Sequence, residues 1–314
     1  MKRLYLFVLL AVVSSILKAQ PLAQRLDSLL SNDLMLRTSE VGITVFDLTT
    51  GESLFQYQDE KLYRPASTEK VVTSVTALAT LGLDYTMDTR LQYTGKIEND
   101  TLKGNLYLVG GFDPEFMDED LDSLVDVIAQ SGIRYIADTL AADVSMMDSV
   151  YWGNGWSWDD VPDSFQPYMS PLMLNRGCVD VTVIPTEKDS LPVIECVPAS
   201  DYYQVDNDGV SNNPQAGNLR ITRNWLHNGN QIHVTGNVSK KTTRTLSIYT
   251  SKDFFFHTFI NRLKEKGIEA NTTAFADCPE NDSLRVVSPL FTLQRPIGEV
   301  LTQMMKESDN LCAE

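Results

Sequence analysis

The sequence predicts an α+β protein in which helical segments at both ends flank a long β-rich interior. Amphipathic helix patterns occur before residue 83 and again after residue 295. Residues 91–284 instead consist mainly of short β-type runs separated by turns. With 314 residues, 43% of them hydrophobic, the chain can form one large domain with insertions or two to three smaller domains.

The first residues have the layout of a secretory signal peptide. Lys2 and Arg3 precede an apolar stretch at 4–17, and Ala19 is a small residue suited to cleavage. The alternative is a membrane anchor, but Lys18 ends the apolar run before the roughly 20 residues that a span requires. We therefore expect residues 1–19 to be removed, leaving an exported, periplasmic or otherwise extracytoplasmic protein without a stable membrane span.

The charge of the chain argues against nucleic acid as a partner. The formal net charge is −16, and the predicted signal peptide contains only basic charged residues, so the mature chain is more acidic still. Proteins that bind nucleic acid neutralise phosphates with clustered Lys and Arg. A substrate must instead be recognised locally.

The segments before residue 83 predict a helix, a hairpin and a second helix. The first helix is indicated by leucines at helical spacing, namely Leu22, Leu26, Leu29 and Leu30. Residues 41–48 and 53–57 alternate like two strands joined by a turn. The second helix begins about Ser67, just past Pro65, and ends near Gly82, which suits a C-cap.

The interior predicts five strands and two helices. The strands are expected at 105–109, 179–184, 219–221, 231–234 and 245–249, and the helices at 121–129 and 256–263. Residues 207–218 are rich in Asn, Asp, Gly and Pro and predict a surface loop. A last amphipathic helix opens at Pro296 and ends at Ser308-Asp309-Asn310.

Two short motifs indicate serine acyl-transfer chemistry. Ser67 and Lys70 lie at i, i+3 spacing on a predicted helix, so they share one face. A serine hydroxyl becomes a nucleophile when a neighbouring base removes its proton. The hypothesis is that Ser67 attacks a carbonyl with Lys70 as its base, while Ser308 and Asn310 form the second motif, Ser-x-Asn, about 240 residues later.

Each motif also has an ordinary structural interpretation. Ser67 suits a helix N-cap, Lys70 a solvated helix lysine, and Ser308 and Asn310 a helix C-terminus. Chance matches occur too, at 15–18 for Ser-x-x-Lys and at 211–213 for Ser-x-Asn. The catalytic interpretation is favoured by context, because the first motif opens an apolar helix after a hairpin and the second ends an amphipathic helix.

Other chemistries have weaker support in the sequence, and no metal or cofactor is expected. The three histidines, His227, His233 and His257, lack a Gly-x-Ser-x-Gly elbow, and a metal shared by the first two is less probable than ordinary packing. The acidic run 118–120 suits a helix start.

The four cysteines are scattered along the sequence. Cys178 and Cys196 are the expected disulfide in an exported protein, with free thiols as the alternative.

Longer segments around these motifs resemble the class C low-molecular-mass penicillin-binding proteins, which are D-alanyl-D-alanine carboxypeptidases and endopeptidases. The similar segments are RPASTEK at 64–70, GNLYLVG at 104–110 followed by Asp113-Pro114, GWSWDD at 155–160, YMSP at 168–171 with Asn175, and SDNLCAE at 308–314. They occur in the family's order across nearly the whole mature chain. The family more often has glycine directly before Asp-Pro, where this chain has Phe112.

The resemblance implies a serine β-lactamase/DD-peptidase-like domain with inserted β-rich domains. Residues 20–90 plus 285–314 would form the catalytic domain, and 91–284 the insert, in two nested domains. Ser67 would be the acylated nucleophile, Lys70 its base, Ser308 the hydroxyl that relays a proton to the leaving amine, and Asn310 a ligand for the substrate amide. Peptidoglycan stem peptides and β-lactam antibiotics are the implied partners.

The implied activity is that of a D-Ala-D-Ala carboxypeptidase or endopeptidase acting through an acyl-enzyme. A non-catalytic peptidoglycan-binding protein and a β-lactamase or esterase of the same fold are the alternatives, although the Glu-x-x-Leu-Asn motif of class A β-lactamases is absent from the sequence. The family's third motif, Lys-Thr-Gly, does not follow Asn310 in these residues. We therefore expect the C-terminal part of the catalytic domain to be missing and these 314 residues alone to be inactive.

Overall fold

The computed structural model describes residues 21–280 and 286–314, so the predicted signal peptide lies outside the described residues. The described residues divide into two compact units, one that ends at Ala66 and one that begins at Ser67. Within the described ranges, no helix is long and apolar enough to cross a membrane.

The first unit contains the predicted helix and hairpin. Its elements are α1 (Leu22–Asn32), α2 (Leu34–Thr38), β1 (Ile43–Asp47) and β2 (Glu52–Tyr57). The two strands pair antiparallel, with Val45 opposite Phe55. The turn is closed by Asp47, whose carboxylate accepts the backbone N–H groups of Thr49 and Thr50. These hydrogen bonds lower the pKa of Asp47.

The second unit begins at Ser67 and contains the remaining elements in the order of the chain. They are α3 (Lys70–Leu81), β3 (Thr86–Thr94), β4 (Lys96–Glu98), β5 (Thr101–Lys103), β6 (Leu106–Val109), α4 (Asp118–Gln130), β7 (Tyr135–Asp143), β8 (Cys178–Ile184), β9 (Val193–Val197), β10 (Gln204–Ser211), β11 (Arg220–Arg223), β12 (Gln231–Val238), β13 (Thr242–Ser247), α5 (Ser251–Glu265), β14 (Glu269–Phe275), β15 (Val287–Pro296) and α6 (Ile297–Glu307). The helices and strands expected from the sequence are all present within a few residues of their predicted positions.

A seven-stranded mixed sheet connects the start and the end of this unit. Its strand order is β15-β3-β6-β7-β5-β4, and β14 also pairs with β7. Strand β3 follows α3, and its antiparallel partner β15 leads directly into α6, with Met87 opposite Arg295. This pairing brings the helix that carries the second motif close to the helix that carries the first.

Strand β3 also crosses residues 90 and 91, where the sequence placed the start of the insert. The division into 20–90 plus 285–314 and 91–284 stays a prediction.

Two three-stranded sheets occupy the interior of the sequence. Their orders are β10-β12-β11 and β13-β8-β9. The loop expected at 207–218 is wrong for its first part, because residues up to Ser211 belong to β10. That strand pairs in parallel with β12 over its whole length, from Gln204 opposite Gln231 to Ser211 opposite Val238. The polar composition of these residues is typical of a loop, but they form a strand because they pair with β12.

The main core lies where α4 and α5 pack on the sheets. Leu121, Leu124 and Ile128 of α4 are fully buried, as are Phe254 and Phe259 of α5. The two helices were expected at 121–129 and 256–263, so α5 begins earlier than predicted and includes Phe254. The chain also approaches itself closely after β6, because a Cβ on Gly111 would lie 2.1 Å from the carbonyl oxygen of Asp88. Only glycine fits there.

The expected disulfide between Cys178 and Cys196 is wrong, since all four cysteines are free thiols. The two residues lie on neighbouring strands, but Cys196 of β9 pairs with Val181 of β8. Cys178 is three residues away along β8, about 10 Å, and an odd separation puts its side chain on the opposite face of the sheet. Closeness in sequence did not give the register that a disulfide requires.

Candidate active site

Ser67 and Lys70 lie at the junction of a short turn and α3. Ser67 belongs to the 3-10 turn Ala66–Glu69, and Lys70 is the first residue of α3. The i, i+3 spacing places both side chains on one side of the helix start, as the sequence predicted. Ser67 is exposed, whereas Lys70 is only 7% exposed. The hydroxyl therefore faces solvent while the amine beneath it is shielded.

The second motif follows the end of α6. Ser308 is the C-cap residue and has a left-handed backbone, with φ 57° and ψ 36°. This conformation ends the helix and redirects the chain, so that Ser308 and Asn310 turn toward α3. The alternative interpretation of Lys70 as a solvated helix lysine is wrong, since this side chain is buried. The alternative interpretation of Ser308 as a helix C-cap is correct for its backbone.

The amine of Lys70 lies among oxygens from both motifs. Its Nζ is 3.1 Å from Ser67 Oγ, 2.9 Å from the carbonyl oxygen of Ser308, 3.4 Å from Ser308 Oγ and 2.6 Å from Asn310 Oδ1. These four oxygens are all neutral. The structure thus brings together all four residues that the sequence singled out, with one amine in hydrogen-bonding reach of two serine hydroxyls.

A further residue, Arg176, holds the loop of the second motif and was not expected from the sequence. Its guanidinium contacts both carboxylate oxygens of Glu115 at 2.8 Å and Asp309 Oδ2 at 3.4 Å. Burial alone lowers the pKa of Arg176, but the hydrogen bond to Glu115 and the charges of Glu115 and Asp309 raise it overall. Arg176 therefore stays charged and ties Asp309, the middle residue of the motif, to the β-rich interior.

The same loop is held from two other directions. Asp309 Oδ1 accepts the backbone N–H of Cys312 at 3.1 Å, and Asn310 Nδ2 donates to the carbonyl oxygen of Phe165 at 3.3 Å. Burial raises the pKa of the Cys312 thiol, with the charges of Asp309 and Glu115 adding to the shift. Glu115, Asp309 and Cys312 lie close enough together to resemble a metal site, but Arg176 already contacts both carboxylates.

A cavity of about 580 Å³ opens beside the second motif. Its lining includes Phe165, Asn175, Arg176 and the motif residues Ser308, Asp309 and Asn310. The wall is therefore built jointly by the end of α6 and by segments of the β-rich interior. A substrate bound at Ser308 and Asn310 would therefore also contact residues of the β-rich interior, such as Phe165 and Arg176.

The remaining candidate residues lie apart from this site. His227 contacts Asn224, His233 contacts Asp206, and His257 contacts Asp201. No pair of these histidines forms a metal cluster within the described residues. In the acidic run at the start of α4, Asp118 pairs with Arg262 and Asp120 with Arg295. The chance Ser-x-Asn match at 211–213 begins with a buried serine at the end of β10.

Comparison with known proteins identifies the class of protein. A crystal structure of penicillin-binding protein 4 (dacB) from Haemophilus influenzae matches with a TM-score of 0.70 and 25% identity, covering 86% of this chain and 60% of that one. The same protein has also been crystallised with a β-lactam. The fold is therefore that of the penicillin-binding DD-peptidases with additional sheets, which confirms the predicted fold class.

The family follows from the sequence match. The model of the D-Ala-D-Ala carboxypeptidase 3 (S13) family matches residues 22–314, so the chain belongs to this family. The similarity to class C penicillin-binding proteins is thereby confirmed.

Curated relatives agree with this assignment. A D-alanyl-D-alanine carboxypeptidase from Actinomadura sp. (strain R39) is 27% identical over 93% of this chain. The D-alanyl-D-alanine carboxypeptidase DacB of H. influenzae is 26% identical over 88%. The chain spans 56% and 58% of the length of these two relatives.

Proposed function

We propose that the protein is a serine-type D-alanyl-D-alanine carboxypeptidase or endopeptidase acting on the stem peptides of peptidoglycan. The observation that carries the proposal is the position of Lys70 Nζ, 3.1 Å from Ser67 Oγ and 3.4 Å from Ser308 Oγ. One amine can therefore exchange protons with both hydroxyls. Acyl transfer from an amide requires such an exchange, because one proton leaves the nucleophile and another reaches the leaving nitrogen.

In the proposed acylation, Ser67 Oγ attacks the carbonyl carbon of the penultimate D-alanine. Lys70 Nζ acts as the general base and takes the hydroxyl proton as the C–O bond forms. The proton then passes through Ser308 Oγ to the nitrogen of the leaving D-alanine, and the C–N bond breaks. The ester on Ser67 is hydrolysed by water with the same proton path in reverse, so the enzyme returns to its starting state.

Asn310 is proposed to bind the substrate and to orient the lysine. Its Oδ1 is 2.6 Å from Lys70 Nζ, and its Nδ2 is directed to the carbonyl oxygen of Phe165. An amide group offers both an acceptor and donors. A peptide carbonyl entering this cavity could take the place of the Phe165 oxygen, so that Asn310 would hold the substrate and the base in one arrangement.

The experiment is to measure D-alanine release from diacetyl-L-Lys-D-Ala-D-Ala by a purified form of the protein that extends through a Lys-Thr-Gly segment. Ser67→Ala should abolish release, because the acyl acceptor is lost. Ser123→Ala is the matched control, since Ser123 is an exposed helical serine whose hydroxyl bonds only to the backbone carbonyl of Glu119 among the described residues. Release that survives Ser67→Ala would contradict the proposal.

The same assay separates the alternatives. Rapid turnover of penicillin without peptide cleavage would indicate a β-lactamase of the same fold. Binding of muropeptides with neither cleavage nor penicillin acylation would indicate a peptidoglycan-binding protein. Because the proposed substrate lies outside the cytoplasm, we also propose that the protein is exported after cleavage following Ala19.

A further inference from the structure

All four tryptophans of the chain gather in one part of the second unit. Trp152, Trp156 and Trp158 lie within seven residues, and Trp225 comes from a separate 3-10 turn, Trp225–His227. The ring centroids of Trp152 and Trp156 are 5.5 Å apart, and those of Trp158 and Trp225 are 5.4 Å apart. The fold therefore brings Trp225 against Trp158 from about 70 residues away.

Three of these tryptophans, Trp152, Trp158 and Trp225, line a cavity of about 510 Å³. Tyr151 and Tyr168 add two more aromatic rings, Val150, Val161 and Leu226 add aliphatic surface, and Asn228 contributes an amide. Trp158 is 67% exposed although a tryptophan gains much by burial. None of the described residues that line the cavity is charged. The cavity is suited to a neutral ligand with an apolar face and hydrogen-bonding edges.

The back wall of this aromatic cavity is rigid. Tyr168 is 5% exposed and packs against Trp152 and Tyr249, with ring centroids 5.4 and 5.0 Å away. The guanidinium of Arg223 lies 5.7 Å from the Tyr168 ring and is itself held by the carbonyl oxygens of Ser247 and Gly229. A preformed wall lowers the entropy cost of binding.

The cavity lies a short distance along the chain from the proposed active site. Phe165, whose carbonyl oxygen accepts from Asn310, is seven residues after Trp158. Seven residues span at most about 25 Å. An extended peptide of five residues spans up to about 18 Å. Because about 25 Å is an upper limit, this spacing is compatible with one ligand that places a peptide of about five residues at the active site and another group in the aromatic cavity.

We infer that the aromatic cavity is a binding subsite for the N-acetylated saccharide to which the stem peptide is attached. A pyranose ring presents a face of C–H groups that stacks on aromatic rings, while its hydroxyl and acetamide groups are neutral hydrogen-bonding edges. This chemistry matches the exposed rings, the Asn228 amide and the uncharged lining. The inference rests on the proposed function, because it makes the glycan part of the same substrate.

The first test is direct binding of N,N′,N″-triacetylchitotriose, followed by tryptophan fluorescence. Since every tryptophan of the chain belongs to this cluster, a bound sugar should change the emission saturably. Trp158→Ala and Trp225→Ala should each weaken binding about 3- to 10-fold, the loss expected for one stacked ring. Tyr135→Ala is the control, because Tyr135 is an exposed aromatic at the start of β7 that does not line the cavity.

The second test compares two substrates, the free stem pentapeptide and the same peptide attached to its disaccharide. The protein should prefer the glycosylated substrate in kcat/KM, and Trp158→Ala should reduce that preference. If Trp225→Ala does not fold, Trp225→Phe retains a ring and should give a smaller loss of sugar affinity.

Absence of a saturable fluorescence change up to about 10 mM sugar, a concentration that detects even weak binding, would overturn the inference. It would equally be overturned if the free peptide, and not the sugar, gave a signal that depends on Trp158 and Trp225. Sugar binding by a protein that releases no D-alanine would refute the proposed function and leave the saccharide subsite standing.

Discussion

Replacing Arg176 by methionine removes the guanidinium that ties Asp309 to Glu115 and keeps much of the apolar stem. Removing one partner of a buried ion pair costs about 3–5 kcal/mol. Here the side chains of Arg176, Glu115 and Asp309 retain 31%, 19% and 13% exposure, so solvent compensates for part of the loss. We expect about 2 kcal/mol of destabilisation, which corresponds to a fall in Tm of about 4–8 °C for a unit of this size.

The larger effect should be on acylation. Arg176 contacts the residue between Ser308 and Asn310, and both of these contact the Lys70 amine. A displacement of about 1 Å in such groups can lower the rate about 100-fold. Stopped-flow measurement with a fluorescent penicillin should therefore show Arg176→Met acylating about 10- to 100-fold more slowly than the parent protein.

The matched control is Arg262→Met. Arg262 bridges Asp118 and Asp122 between α4 and α5 and is also partly buried, with an 18% exposed side chain, but it contacts neither motif. It should lower Tm by a similar amount without a comparable effect on acylation. If Arg176→Met and Arg262→Met fall equally in Tm and both acylate within about twofold of the parent, Arg176 only stabilises the fold and the positioning argument is wrong.

Three further outcomes are expected. Lys70→Ala should slow acylation of Ser67 by about 10²–10⁴-fold while initial penicillin binding changes little, because it removes the proposed general base; Lys103→Ala, a lysine with a mostly exposed side chain, should have no effect. N-terminal sequencing of protein from the cell envelope should begin at Gln20, and an intact Met1 in cytoplasmic protein would contradict export. Alkylation under denaturing, non-reducing conditions should label both Cys178 and Cys196, whereas a linked peptide pair would contradict the strand register.

Local patterns predicted most of the helices but fewer than half of the strands, and they succeeded where an element carries its own periodicity. The leucines of α1, the alternation of β1 and β2, and the i, i+3, i+4 spacing in α6 are each visible within a dozen residues. The i, i+3 relation of Ser67 and Lys70 is local as well. These features depend on backbone geometry that every helix and strand shares.

Features that depend on distant partners were not predictable in this way. Arg176 contacts Glu115 and Asp309, which lie 61 and 133 residues away in the sequence. No pattern of neighbouring residues indicates that a single arginine in a β-rich region will make such contacts. Strand β10 was mistaken for a loop because its parallel partner β12 determines it. The Cys178–Cys196 register likewise depends on how two strands align. Two consecutive left-handed residues, Asn175 and Arg176, are a backbone feature that only coordinates reveal.

The proposed meeting of the two motifs around Lys70 is tested most directly by locating the penicillin adduct. A form of the protein that extends through a Lys-Thr-Gly segment should be treated with penicillin, weighed intact by mass spectrometry and mapped by proteolysis. The account predicts a gain of one penicillin mass, because opening the β-lactam ring expels no leaving group, and predicts that the adduct lies on Ser67. Ser308→Ala should slow formation of the adduct but leave its position unchanged. A stable adduct on a serine other than Ser67 would contradict the account.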